Sequence, residues 1–161
     1  MTLWKNALAE GFFTGSLASL VSTAVLLAAG RRENGSAAAP VNAISHWVWD
    51  SPALHVQRPT LRHTLVGYLV HHAASVFWGV LHARAWGMRP EAKKPGPALA
   101  GAAAAAAVAC FVDMRLTPER LTPGFEHRLS IKSMVAVYAS FALGLAVASM
   151  AARPRKDDVR R

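Results

Sequence analysis

Gly11-Phe-Phe-Thr-Gly-Ser-Leu-Ala-Ser-Leu-Val-Ser-Thr-Ala-Val-Leu-Leu-Ala-Ala-Gly30 runs for twenty residues without a charge. A helix rises about 1.5 Å per residue, so some 20 residues cross the roughly 30 Å hydrocarbon core of a bilayer. Three more stretches share this property: Thr64–Ala83, Pro95–Val112 and Ser133–Ala152. All 18 Lys and Arg and all 9 Asp and Glu lie outside these four. The spacing predicts an all-α, polytopic membrane protein with spans over about 11–30, 64–83, 95–112 and 133–152. Residues 1–152 then form a single bundle, and 153–161 form a basic cytoplasmic tail.

The composition agrees: 53% of the chain is hydrophobic and only 17% charged, too apolar for an ordinary soluble domain of this size. The formal net charge of +9 could suggest nucleic acid as a partner. The basic residues instead flank apolar spans, as Arg31-Arg32, Lys93-Lys94 and the run from Arg153. That placement fits topology signals and contact with anionic headgroups, and it argues against nucleic acid. Cys110 is the only cysteine, which excludes an intrachain disulfide. The first span is longer than the h-region of a signal peptide and reads as an anchor.

Each span has its own character. The first carries Gly11, Gly15 and Ser19 at four-residue intervals, and the fourth repeats the device with Ala136, Ser140, Gly144 and Ala148. Small residues so spaced let a neighbouring helix approach closely, so Gly11, Gly15, Ser19, Ser140 and Gly144 are expected at helix contacts. The third span is nearly all Ala and Gly. Alanine adds little to insertion, and such a helix is expected to be enclosed by its neighbours. The second holds His71, Ser75, Trp78 and His82 on one helical face, with His72 about 100° away. Ionisable groups at that depth usually face the bundle interior or an aqueous path.

Between the first two spans, residues of about 36–49 are again charge-free but short for a crossing. Pro40 suits a first helical turn, and Trp47 and Trp49 favour the headgroup level, so an interfacial or re-entrant helix is expected. In the third loop, Arg115-Leu-Thr-Pro118 recurs as Arg120-Leu-Thr-Pro123. Thr before Pro is a helix-start pair, and Ser130 can cap the fourth span.

With four spans, the first and third loops share one side of the membrane. That side gathers Asn42, His46, His71, His72, Asp113, Glu126 and His127 into one candidate polar cluster. Asp113, ending the third span, needs a donor, for which Arg115, Arg120, Arg128 and nearby histidines are available. The other side carries ten basic residues against eight, which points to both termini in the cytoplasm.

At Ala39-Pro-Val-Asn-Ala-Ile-Ser-His-Trp-Val-Trp49, His63-Thr-Leu-Val-Gly-Tyr-Leu-Val-His-His72 and Leu121-Thr-Pro-Gly-Phe-Glu-His-Arg-Leu-Ser130, the chain resembles a group of small bacterial inner-membrane proteins of unassigned function. The resemblance implies location only.

No catalytic signature emerges, and the reading leans away from an enzyme. No cofactor is required by the sequence. Histidines and carboxylates leave a metal ion open, but there is no H-E-x-x-H and no Cys pair. Haem would need axial ligands from opposite sides, and spans one, three and four hold no histidine. The favoured function is a non-catalytic accessory, assembly or stress-related membrane component that packs against a protein partner or a second copy. A small transporter or channel subunit, or a His-based metal or haem protein, is the alternative.

Overall fold

The computed structural model of the chain describes residues 2–152, and the basic tail at 153–161 lies outside the described residues. Four of its helices are long and apolar enough to cross a membrane. Among the described residues there is no strand.

Helix α1 (Thr2–Asn34) extends well beyond the charge-free core at both ends. Its charged flanks are anchored. Lys93 Nζ donates to Glu10 at 2.8 Å near one end. At the other end Glu33 accepts from Ser130 N at 2.7 Å, Ser130 Oγ at 2.9 Å and Ser133 Oγ at 2.5 Å. Arg31 and Arg32 in the last turn complement the helix dipole.

The first loop forms two short helices, α2 (Ala39–Ile44) and α3 (His46–Trp49), in place of one segment over 36–49. Every residue of α2 is buried, with Pro40 in its first turn. Helix α4 (Val66–His82) is entered through a wider π-type turn, Leu61–Leu65, and left through another, Ala83–Gly87. Helix α5 (Pro95–Phe111) begins at a proline and ends in a π-type turn, Val112–Leu116, before Thr117-Pro118 halts the helical path. Helix α6 (Ile131–Ala151) is capped by the Ser130 hydroxyl, which accepts from Ser133 N.

The long helices pack in the order α4, α1, α6, α5, and α4 and α5 touch only lightly. Glycine explains the tightest seam. A Cβ on Gly15 would sit 2.6 Å from Ser75 O and from Val76 Cα, and one on Gly79 would sit 2.6 Å from Gly11 O. Only backbones without side chains come this close. On the other side of α1, a Cβ on Gly144 would sit 2.6 Å from Ala18 Cα, and Ser19 is fully buried. Ser140 is half-buried, with its hydroxyl turned back to Val137 O at 2.7 Å, and Ala136 is exposed. The small-residue stripe of α6 therefore meets α1 at Gly144 and not along its whole length.

The alanine-rich third span departs from expectation. Helix α5 is peripheral. One face buries Ala98, Ala102, Ala106 and Ala109, of which the first three pack with Phe141, Ala142, Leu145 and Ala146 of α6. Its remaining surface is open, with Leu99, Val108 and Phe111 each more than half exposed. Alanine here serves close packing on one neighbour, while the few large apolar residues cover the outside.

Candidate functional site

The light contact between α4 and α5 leaves a cleft of about 500 Å³. Its floor comes from Ser22 of α1 and from Val137, Tyr138 and Phe141 of α6. Val70, His71, Ala74, Phe77 and Trp78 of α4 form one wall, and Ala109, Val112 and Asp113 form the other. Trp47, Thr117, Leu121, Pro123 and Phe125 from the two loops border it at the Asp113 end. Phe77 is 57% exposed, so the cleft opens sideways, away from the bundle axis.

The loops that border this end are locked together. Trp47 Nε1 donates to Thr122 O at 2.8 Å, and Asn34 Nδ2 donates to Arg128 O at 2.7 Å. Gly124 has φ +85°, and a Cβ there would meet Ala43 O at 2.6 Å and His46 Nδ1 at 2.7 Å. The turn thus lies directly on α2. Asp50 and Arg120 form an ion pair across the same two loops.

Two polar pairs stand inside the cleft. His71 Nε2 lies 2.9 Å from Ser22 Oγ. The same hydroxyl lies 2.8 Å from Ala18 O and 3.2 Å from Ser19 O, so it bridges the imidazole to the backbone of α1. The Nδ1 side of the ring is left without a hydrogen-bond partner. On the facing side, Tyr138 donates to Asp113 Oδ2 at 2.8 Å. This tyrosine, and none of the expected Arg115, Arg120 or Arg128, is the hydrogen-bond donor to Asp113: Arg120 is taken by Asp50 and Arg128 Nε is sealed without a partner.

The other candidate residues are distributed around these pairs. Asn42 is fully buried and faces away from the cleft. It donates to Val56 O and Arg58 O at 3.0 Å each and accepts from Thr64 Oγ1 at 2.6 Å, clamping α2 to the segment that leads into α4. His46 donates from Nδ1 to Ala43 O at 2.9 Å, and its Nε2 is sealed and unpaired. His72 faces α1, 3.4 Å from Ser16 Oγ, with its ring 5.7 Å from that of Tyr68. Glu126 lies 3.7 Å from His127, with one carboxylate oxygen sealed and His127 largely exposed. Only His71 and Asp113 of the seven line the cleft. Ser22, Tyr138, Phe125 and Phe141 were not legible as its members, although a hydroxyl facing an intramembrane histidine, or a lone tyrosine in an apolar span, is a usable signal.

A second polar group sits at the far end of the α1–α4 seam. The Glu10–Lys93 pair is 12–14% exposed, and His82 is buried beside it with neither ring nitrogen paired. Among the described residues, no three His, Cys, Asp or Glu come together as a metal-binding group.

The four long apolar helices give this chain the make-up of a multi-pass membrane protein. No protein family, curated protein or solved structure matches it. The cleft is therefore the feature from which function has to be argued.

Proposed function

We propose that this is a non-catalytic accessory component of a bacterial inner membrane, with both termini cytoplasmic, that works by holding an apolar molecule in its lateral cleft. The observation that carries this reading is the cleft itself: a space of about 500 Å³ floored by α1 and α6 and open on its side. Ligand sites are commonly clefts of ~300–1,000 Å³ with apolar walls and a few placed polar groups. Here the walls are Ala, Val, Phe and Trp, and the polar groups are His71 and Asp113. Among the other polar side chains, Asn42 clamps α2 to the segment before α4, and Glu33 ties α1 to the start of α6. The α2–α3 segment lies at the headgroup level, with Trp47 and Trp49 as anchors. The basic loop at 89–94 rests against anionic headgroups on the opposite side.

Native mass spectrometry of the protein extracted in a mild detergent tests the reading. The wild type should carry a bound small apolar molecule, and Ala74→Trp, which fills the cleft from α4, should lose it while melting within a few degrees of wild type. Identical bound mass in both proteins would refute it.

A further inference from the structure

The polar end of the cleft has a definite chemical sense. His71 is held to Ser22 through Nε2 and leaves Nδ1 unpaired. Asp113 offers its second carboxylate oxygen, because Tyr138 donates only to Oδ2. The free carboxylate oxygen is an acceptor. No lysine or arginine lines the cleft, although the chain carries a surplus of nine positive charges. Among the described residues, none of the ion pairs includes Asp113. An approaching cation would hold this carboxylate in its charged form, which an apolar cleft by itself disfavours.

The rest of the lining fits the same partner. Trp47, Phe77, Trp78, Phe125, Tyr138 and Phe141 all border the space. The face of an aromatic ring attracts a cation, most strongly where water is excluded. A phospholipid phosphate would meet the like charge of Asp113 and no Lys or Arg. A partner transmembrane helix needs a groove running the ~30 Å depth of the bilayer. This cleft instead meets the loop residues Leu121, Pro123 and Phe125 at the Asp113 end.

We infer that the cleft takes an amphiphilic organic cation, its apolar body against the aromatic walls and its positive charge at Asp113. This rests on the cleft being a ligand site, as proposed above. It adds the charge of the ligand and the residue that selects it.

Tetraphenylphosphonium and tetraphenylborate, ions of nearly one shape and opposite charge, make the test. Binding of each to the detergent-purified protein is measured by isothermal titration for wild type, Ala74→Trp and Asp113→Asn, with the melting temperature of each variant as a folding control. Wild type should bind the phosphonium saturably and the borate at least tenfold more weakly. Asp113→Asn keeps an acceptor for Tyr138 but removes the charge, and should weaken phosphonium binding about tenfold or more. Equal affinity for both ions in wild type overturns the inference even if Asp113→Asn fails to fold. If both ions then also lose binding in Ala74→Trp, the cleft remains a ligand site without charge selection. Binding of both ions that is indifferent to Ala74→Trp overturns the cleft reading and the inference together.

Discussion

Replacing Gly15 with alanine adds one methyl group to the tightest seam of the bundle. That methyl would lie 2.6 Å from Ser75 O and from Val76 Cα, where ordinary contact begins at 3.4 Å. Both atoms belong to the backbone of α4, so no rotamer change relieves the clash, and the helices must part by about 0.8 Å. Overpacking of this kind costs about 1–3 kcal/mol. Separation also strains the Ser22–His71 and Ser16–His72 contacts, which cross the same seam. Interhelical hydrogen bonds in membranes contribute about 0.6 kcal/mol each. Alanine is the better helix former by about 1 kcal/mol, which offsets part of the loss. The steric term wins, leaving a net destabilisation of about 1–3 kcal/mol. For a chain of this length that lowers Tm by roughly 3–10 °C. Circular dichroism melts in a fixed detergent measure it. Gly96→Ala is the control, since nothing lies within 4 Å of its added methyl. If Gly15→Ala melts with wild type and with this control, the α1–α4 seam is not held by backbone approach, and the packing order given above is wrong.

Gly124→Ala should destabilise the loops at the Asp113 end of the cleft by about 1–3 kcal/mol, because φ +85° disfavours a side chain and the methyl would press on Ala43 O and His46. Limited proteolysis within 117–130 would report it, and unchanged cleavage would count against the tight seating of this loop on α2. Reporter fusions at 89–94 and at the C-terminus should read cytoplasmic, and fusions near His55 and Arg120 should read exported. A C-terminus on the exported side would sink the orientation.

The candidate site was half legible. His71 and Asp113 stood out as polar groups in or at the end of apolar spans, and both line the cleft. Asn42 and His46 stood out equally, yet Asn42 serves as a clamp and His46 hydrogen-bonds within its own turn. Residue type and depth were the same kind of signal in all four. What separates them is which surface each side chain meets, and that depends on the route of the loops. The donor to Asp113 shows the same limit. Arginines close in sequence are plausible partners, but Tyr138, 25 residues away, occupies the position.

Hydropathy along the chain is enough to set four span-length apolar helices and, in a membrane, the pairing of the loops. Each span is a local property, the hydropathy of some 20 consecutive residues, and an even number of crossings puts the first and third loops on one side whatever the packing. The sequence also marked Gly11, Gly15 and Gly144 as places of close approach, since a missing side chain is visible without a neighbour. Which helix makes each approach depends on the packing. Ala98, Ala102, Ala106 and Ala109 could have been enclosed on all sides, but they form one packed face of an outer helix. In a bilayer, lipid tails compete with protein for every apolar face, so composition does not say which faces pair. Backbone fit does, and it seats α1 between α4 and α6, α6 between α1 and α5, and leaves the space between α4 and α5 open.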